Sequence, residues 1–540
     1  MFDNIRGCIH LPPTSQFVLC RGDALLKSCE DITAQYLLTS PLPPPLQFLP
    51  WFSKASSRNP DSQRWSWHTE SSSNGANLSL TSSGKQVNQS WQDVQCIACF
   101  CQDDSTAYRD GLLTLCTHAN KVFIHQPLRM YLYGLYIYKC QLEAWIFDRS
   151  GIWVCQAFNI QDNPQRFLAM ILSYRSMSDA DLGLSSVVKR DDNGSFVTFN
   201  DTVTPGLQKL YLEDKTIALS DDLVGQGTTC YRARSSGRDQ WDYVIKVKWR
   251  PADRRPEEEI LNLAMQKKAW GIVTANLRQG LHFGPYYELA PLHNETDTPP
   301  RVANSGEEPN ISKLVTPTKT PFQNRIFTCV VTSPIGRPLQ FFATRLELLL
   351  ALRDAVRAHR SLFQDAKVLH QDISVWNILI SHPQRPGDPH GILIDLDVAI
   401  NVAEGGLRKL GGAIGTRPFM AIGVLLRRIH TYRHDLESFL YVLLWVVVVR
   451  QKDYPPVGSR LREWNQGSLA DSARLKTSDM AEDSFGNVLA EFEPEFESLK
   501  GLAERLRGLL FPRESGELWT GTVGSGAGIN RLYDAFIDTF

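Results

Sequence analysis

The stretch VLHQDISVWNILI, residues 368–380, begins and ends with apolar runs and has a polar segment between them. Further along, after SHPQRPGDPHG, a third apolar run leads directly to Asp395. Short apolar runs bounded by turn residues are typical of buried strands. The pattern therefore predicts loops anchored in buried strands that present three oxygen-bearing side chains, those of Asp372, Asn377 and Asp395.

This set of side chains suits phosphoryl transfer, in which a protein orients an attacking hydroxyl and holds Mg²⁺ on a triphosphate. Asp372 would accept the hydroxyl proton, while Asn377 and Asp395 would hold the metal. Each residue alone is more common as a turn residue or a helix cap. The complete string, with its apolar frame, favours the phosphoryl-transfer interpretation.

Composition indicates a large chain that contains more than one domain. It has 540 residues, 43% of them hydrophobic, and a net charge of −1, which gives no indication of binding to nucleic acid or an anionic membrane. The beginning, MFDNIRGCIHLPP, does not resemble a secretory signal, and the longest apolar run, Phe439–Val449, is shorter than the roughly 20 residues of a membrane span. Eleven cysteines without a signal sequence indicate a reducing compartment. We expect a soluble, intracellular protein of the cytoplasm or nucleus.

Two regions, residues 1–90 and 91–190, precede the part of the chain that is expected to carry out phosphoryl transfer. Residues 1–90 contain PLPPP and a Ser- and Asn-rich piece, and are expected to be poorly ordered. Residues 91–190 are expected to form a small α+β domain of unknown role. Its strand candidates are aromatic and β-branched runs that form a meander, namely Met130–Tyr138, Leu142–Phe147 and Ile152–Phe158.

A group of possible zinc ligands lies in this small domain, with Cys96, Cys99 and Cys101 in the run VQCIACFC and His118 further along. Structural zinc sites usually have a second pair of ligands, which the run lacks. Cysteine is also among the most frequently buried residues. Buried thiols in a strand are therefore the favoured interpretation.

A second set of strands begins near residue 197 and contains LVGQGTTCYRAR, followed by WDYVIKVKW. Glycines such as Gly225 and Gly227 allow a backbone to approach phosphates, and a lysine on the next strand can neutralise them. Lys246 and Lys248 share one strand face, so spacing alone does not separate them. The segment PEEEILNLAMQK then predicts a helix whose first turn holds three glutamates, beginning with Glu257.

Together, VLHQDIS with NILI, ILIDLDVA, GTRPFMA, HDLESFLYVLLW and VIKVKW resemble the fungal-type protein kinase family. The resemblance extends upstream to HQPLRMYLYG and FDRSG and covers roughly residues 90 to 510. It implies an α+β fold with a bilobal kinase domain. The strand-rich lobe would span 197–331, with a polar insertion at 293–324, and the helical lobe 332–540. It also implies ATP, Mg²⁺ and phosphorylation of Ser or Thr on a protein substrate.

The resemblance also implies roles for individual residues. Lys246, in the frame Val-Ile-Lys, would hold the phosphates and pair with Glu257, and Gly225 and Gly227 would line the nucleotide. Asp435 would hydrogen-bond the backbone of the catalytic loop. His359, on the apolar stripe of a preceding helix, is expected to be a core histidine.

The sequence departs from the kinase pattern in three places. Cys230 replaces the third glycine, and Gln371 replaces the arginine that contacts a phosphorylated activation loop, so activity should not depend on that arginine. Asp395-Leu396-Asp397 replaces Asp-Phe-Gly and fits small-molecule kinases of the aminoglycoside or choline type, which are one alternative. A catalytically weak, kinase-like scaffold is another. The expected partner is a protein substrate, and neither nucleic acid nor a membrane is expected.

Overall fold

The computed structural model describes most of the chain from residue 65 onward. The described ranges are 9–10, 65–72, 75–82, 90–101, 108–154, 157–200, 207–275, 323–404, 413–450, 452, 454–514, 517–522 and 524–540. The PLPPP piece and nearly all of the expected insertion at 293–324 lie outside these ranges. The described residues form a mixed α/β structure with two large sheets and a helical region.

The first sheet has the strand order β1-β7-β6-β5-β4-β3-β2, with β8 beside β6. The strands are β1 (Ile9–His10), β2 (Trp65–Ser72), β3 (Gly75–Ser82), β4 (Cys96–Cys101), β5 (Tyr131–Tyr138), β6 (Gln141–Asp148), β7 (Ile152–Val154) and β8 (Phe158–Asn159). Helix α1 (Tyr108–His125) contributes Leu112 and Phe123 to one apolar cluster, and helix α2 (Pro164–Ser176) contributes Phe167 to another. The meander predicted from the aromatic runs is present as β5 to β8.

Strands β2 and β3 lie in the region that was expected to be poorly ordered, residues 1–90. They pair as an antiparallel hairpin, and β3 continues the sheet by pairing with β4. Trp65 and Trp67 of β2 and Leu78 and Leu80 of β3 are buried, and a polar residue lies between the two members of each pair. The polar half of this period-two pattern dominates the composition and hides the strands. The folded part therefore includes residues well before the expected boundary at 91.

The cysteines of β4 are buried thiols. Cys96 faces the cluster that contains α2, whereas Cys99 and Cys101 face the cluster that contains α1, with their sulfur atoms 3.9 Å apart. His118 packs against the ring of Trp91 at 5.2 Å between centroids. Within the described ranges these four candidate ligands do not come together as a metal-binding group.

The second sheet is antiparallel and has the order β14-β15-β13-β12-β11-β10-β9. Its strands are β9 (Val188–Asp191), β10 (Gly194–Asn200), β11 (Leu207–Leu219), β12 (Thr229–Ser235), β13 (Tyr243–Pro251), β14 (Thr274–Ala275) and β15 (Arg325–Ser333). Strand β11 is continuous and has register irregularities against β12. Helix α3 (Glu257–Gln266) follows β13 and begins after Pro256, whose fixed φ suits a helix start.

The remaining chain is mainly helical. The helices are α4 (Arg345–Gln364), α5 (Ile422–Leu425), α6 (Tyr432–Val449), α7 (Arg460–Glu463), α8 (Leu469–Asp479), α9 (Glu482–Leu489), α10 (Lys500–Leu510) and α11 (Gly526–Thr539). Short strands form small pairings, β16 (Arg337–Pro338) with β18 (Ile378–Ile380) and β19 (Gly391–Leu393), β17 (Val368–Leu369) with β20 (Ile400–Asn401), and β21 (Arg513–Glu514) with β22 (Glu517–Leu518).

Helix α6 runs through the centre of this region, and all of its residues are buried. Its apolar part shares one core cluster with α3 and α4, which connects the second sheet to the helical region. The buried ion pair Arg433–Glu437, 2.8 Å, lies near its start. Among the described helices, α6 included, none is both long enough and apolar enough to span a bilayer.

Candidate active site

Lys246 and Lys248 point to the same side of β13 because they are two residues apart on a strand. Helix α3 places Glu257 opposite both of them. Lys246 Nζ lies 3.3 and 3.1 Å from the two carboxylate oxygens of Glu257, and Lys248 Nζ lies 2.6 Å from Oε2. Glu259 pairs instead with Arg255 at the surface. The structure thus selects Glu257 from the three candidate glutamates.

The electrostatics of this group follow from burial opposed by opposite charge. Burial favours the neutral acid of Glu257, but the two lysines outweigh it and hold its pKa below the usual range. Burial also disfavours the charged form of Lys246, yet Asp395 and Glu257 raise its pKa above the ordinary value. For Lys248 burial prevails and the pKa is lowered.

Asp395 and Asp397 complete this cluster of charges from the turn after β19. Asp395 has φ of +66°, uncommon for a residue other than glycine, which turns its side chain toward β13. Lys246 Nζ lies 2.7 Å from Asp395 Oδ1 and 3.3 Å from Asp397 Oδ2, and Lys248 also contacts Asp397. The turn is tied to α3, because the Leu396 N–H donates to Glu257 Oε1 over 3.1 Å.

Asp372 and Asn377 lie together on the loop between β17 and β18, which the resemblance implies is the catalytic loop. The Asn377 amide nitrogen donates to the backbone oxygen of Asp372 over 2.9 Å and to its Oδ2 over 3.3 Å. Asp372 Oδ1 accepts from both the backbone N–H and the hydroxyl of Thr416, each at 2.7 Å. One carboxylate oxygen of Asp372 is therefore fixed, and the amide oxygen of Asn377 has no hydrogen-bond partner among the described residues.

The two halves of the site are joined through Ile394, the residue before Asp395. Its N–H donates to the backbone oxygen of Asn377 over 3.1 Å, and its carbonyl lies 3.1 Å from His370 Nε2. Burial lowers the pKa of His370, so its ring is neutral and can accept from the Asp372 N–H through Nδ1. The backbone thus sets the position of Asp372 relative to Asp395.

Asp435, at the start of α6, accepts a hydrogen bond from the backbone of the catalytic loop. Gln371 has φ of +68°, and its N–H donates to Asp435 Oδ2 over 3.1 Å. The same carboxylate contacts His359 Nε2 at 2.9 Å and His430 Nε2 at 2.7 Å. The other ring nitrogen of His359 is bonded to the Tyr533 hydroxyl. His359 is thus a satisfied core histidine, and Asp435 makes the loop contact that the resemblance implied.

The motif order and this geometry agree with a comparison against protein families. A family model described as fungal protein kinase matches residues 76–447. The chain belongs to the fungal protein kinase family. A search of curated proteins found no match.

Membership of this kinase family implies use of ATP, usually with Mg²⁺. The donor set suits such an ion, since Glu257, Asp395 and Asp397 each offer a carboxylate oxygen within 4.8 Å of the others. Glu257 is 3% exposed and engaged by two lysines, whereas the side chains of Asp395 and Asp397 are 33% and 18% exposed. The two aspartates are therefore the more accessible of the three candidate ligands.

The predicted glycines lie in a different environment from the charged cluster. Gly225 and Gly227 are in the connection Ser220–Thr228 between β11 and β12, where both approach Arg149 of the first sheet. Cys230, which replaces the third glycine of the kinase pattern, is the register partner of Lys246. The strand that follows the two glycines is thus adjacent to the strand that carries the lysine.

Two contacts of this kinase site were not predicted from sequence. Lys248 was noted only as a face-sharing neighbour, yet it binds the same glutamate as Lys246. Thr416 was recognised as part of GTRPFMA without a role, yet it donates twice to Asp372. A buried lysine on an apolar strand is the signal that could have indicated the first contact, because such a charge requires a partner. The second depends on a distant part of the chain and had no local signal.

Proposed function

We propose that this kinase is a Ser/Thr protein kinase that transfers the γ-phosphate of ATP to a protein hydroxyl with the help of Mg²⁺. The observation that supports it best is the joint placement of Asp372, Asn377, Asp395 and the Lys246–Glu257 pair on two connected halves of one site. In this proposal the second sheet and the helical region are the two lobes of a bilobal kinase.

Asp372 would orient the substrate hydroxyl and accept its proton. Oδ1 is held by two donors from Thr416, which fixes the rotamer, while Oδ2 has only the longer contact to Asn377. A carboxylate held in this way can direct one oxygen at the incoming hydroxyl without reorganising. The substrate would be a Ser or Thr in an extended segment of another protein.

Lys246 would hold the phosphates of the nucleotide, with Glu257 fixing its position. Lys246 presently binds Asp395 at 2.7 Å, so the incoming phosphates would share or replace that contact. Glu257 keeps its charge because Lys246 and Lys248 outweigh the effect of its burial, and the charged carboxylate holds the ammonium group of Lys246 at the site. The chain therefore supplies a preorganised positive charge next to the reacting groups.

Asn377, through its free amide oxygen, and Asp395 would hold Mg²⁺, and Asp397 adds a carboxylate beside them. A bound magnesium ion would neutralise charge on the β- and γ-phosphates. Because Asp397 is also held by Lys248, it would act as a spare ligand rather than a required one.

Activity in this proposal does not require a phosphorylated activation loop. Gln371 stands where an arginine would contact such a phosphate, and it is only 4% exposed. Helix α3 is already held at β13 by two lysines and at the metal loop by Leu396. The arrangement that phosphorylation would otherwise stabilise is thus present without it.

A small-molecule kinase is the second candidate because Asp397 lies in the charged cluster, as the sequence Asp-Leu-Asp suggested. The fungal protein kinase match and the contact of Thr416 with Asp372 favour a protein substrate. A screen of metabolite hydroxyls would separate the two candidates, since a small-molecule kinase would turn over a metabolite and label no protein.

The experiment is magnesium-dependent transfer of labelled γ-phosphate to a generic protein substrate, with wild type and Asp372→Asn compared. We expect label on Ser and Thr with wild type and a loss of at least about a hundredfold with the variant, the usual scale for a positioned base. Equal labelling by both proteins would refute the role of Asp372. Nucleotide binding without any transfer would favour a scaffold.

A further inference from the structure

The connection between β11 and β12 is anchored outside its own sheet. Leu219 pairs with Thr229 in register, and Ser220 N–H donates to the Thr228 oxygen over 2.9 Å, which closes the base of the connection. We call residues 220–228 the glycine loop. Asp221, Asp222 and Gln226 are exposed, but Leu223 and Gly227 are buried where the loop meets the first sheet.

Two apolar side chains of the glycine loop pack into the core of the first sheet. Leu223 is 8% exposed and belongs to the cluster that contains Phe123 and Ile152, and Val224 packs against the same cluster. These contacts place Gly225, the next residue, directly over the turn between β6 and β7. Burial of a leucine and most of a valine resists lifting of the loop.

The turn itself, Asp148-Arg149-Ser150-Gly151, makes two hydrogen bonds with the glycine loop. Asp148 Oδ1 accepts from the Gly151 N–H over 2.9 Å, which shapes the turn. The Gly225 N–H donates to the Arg149 carbonyl over 3.0 Å, and the Arg149 guanidinium donates to the Asp222 carbonyl. One residue of the first sheet therefore binds the glycine loop through both its backbone and its side chain.

Arg149 also fills the space beside Gly227. A Cβ on Gly227 would lie 2.6 Å from Arg149 Nε, and the φ of +53° at this position favours glycine as well. The guanidinium stacks on the ring of Phe123 at 4.7 Å and is 1% exposed. Its Nε and Nη2 have no hydrogen-bond partner among the described residues. A buried cation bonded this sparsely is costly, so its presence calls for a role beyond stability.

We propose that Arg149 is a positioning residue for nucleotide binding, and that the first sheet serves to hold the glycine loop over the nucleotide. The inference rests on the proposed kinase function. In this view the loop enters the binding step already ordered, so nucleotide does not have to supply the free energy of ordering it. This gives the FDRSG turn and the first sheet a role in the kinase reaction.

The test uses the full-length protein and three variants, Arg149→Met, Arg149→Lys and Lys121→Met. Lys121 is on α1, two residues before Phe123, and its ammonium lies over the Trp91 ring at 5.3 Å, so it is an exposed cation-on-ring control away from the loop. Circular dichroism and thermal unfolding identify variants that fail to fold. ADP affinity is then measured by calorimetry, and KM for ATP and kcat are measured separately.

We expect Arg149→Met to weaken ADP binding and raise the KM for ATP about tenfold, the value of one charge-assisted hydrogen bond, with kcat changed less than about threefold. Arg149→Lys keeps the positive charge without the planar guanidinium, so its ADP affinity should lie between those of Arg149→Met and wild type. Lys121→Met should leave affinity and KM unchanged. If folded Arg149→Met binds ADP with an affinity within about twofold of wild type, the proposal is overturned, because side-chain packing alone produces a change of that size.

Hydrogen exchange without nucleotide tests the anchor independently of any catalysis. Peptides covering the glycine loop should exchange about tenfold faster in Arg149→Met than in wild type, while peptides of α6 should not change. Unchanged exchange of the glycine loop would also refute the proposal. If Arg149→Met does not fold, the same exchange measurement is made on Arg149→Lys. If wild type binds no ADP, the proposed kinase function fails, and the exchange result still decides whether Arg149 holds the loop.

Discussion

Lys246 and Lys248 both bind Glu257, and the structure predicts different consequences when each is removed. Lys248 is 2% exposed and contacts Glu257 and Asp397, whereas Lys246 also reaches Asp395, the residue proposed to bind metal. Lys248→Met should therefore loosen the attachment of α3 to β13 without removing the charge that faces the nucleotide. Lys246→Met should remove that charge.

The magnitude follows from the contacts that Lys248 makes. Loss of a charge-assisted hydrogen bond costs about 1.5–3 kcal/mol. Removing a buried ammonium relieves part of its desolvation cost, and Glu257 keeps Lys246 and the Leu396 N–H, so the lower half of that range applies. We expect the free energy of opening α3 to fall by about 2 kcal/mol, which accelerates its hydrogen exchange about 30-fold.

The assay is native-state hydrogen exchange of the peptide covering α3, combined with γ-phosphate transfer. The control is Glu259→Gln, which removes a surface ion pair with Arg255 in the same helix and should change exchange less than about threefold. Lys248→Met should keep transfer within about tenfold of wild type, while Lys246→Met should lose at least about a hundredfold. The assignment would be refuted if Lys248→Met, folded and at saturating ATP, lost as much activity as Lys246→Met.

Two further predictions concern the catalytic loop. Thr416→Val removes the hydroxyl that donates to Asp372 and should lower kcat about tenfold with little change in KM. The control, Thr416→Ser, keeps a hydroxyl and should retain activity. Equal activity of Thr416→Val and wild type would contradict the role of Thr416 in holding Asp372. Burial favours the neutral acid of Asp435, but His430 and His359 outweigh it and lower its pKa, so on acidification the unfolded state takes up this proton first. Asp435→Asn should therefore cost about 3 kcal/mol at pH 7, and the difference in urea midpoints between variant and wild type should shrink as the pH falls below about 4. A constant difference over that range would refute the linkage.

The central part of the site could be predicted because its residues are close in sequence and lie in a clear apolar frame. The string from 368 to 380 placed Asp372 and Asn377 on one loop, and the next apolar run delivered Asp395. The structure has all three where short strands and their turns put them. Local periodicity was sufficient there because each strand is flanked by its own polar turn.

The remaining features depend on contacts between distant segments. Spacing could not choose among the glutamates at the start of α3, because the choice depends on how the helix sits against β13. The contact of Arg149 with the glycine loop joins two sheets and leaves no periodic signal. Strands β2 and β3 were missed because polar residues outnumber apolar ones in sequence, although the apolar ones alternate and share a face.

The packing of the two sheets against each other has a practical consequence for how the protein can be divided. Met130 and Val187, which precede the expected kinase boundary at 197, pack in one cluster with Ile245, Val247 and Trp249 of β13. Strands β9 and β10 also begin before that boundary and belong to the second sheet. A fragment starting at 197 would expose an apolar strip to water and lose an edge strand, and it should be insoluble. Fragments for expression should keep every strand of the first sheet, from β1 (Ile9–His10) onward.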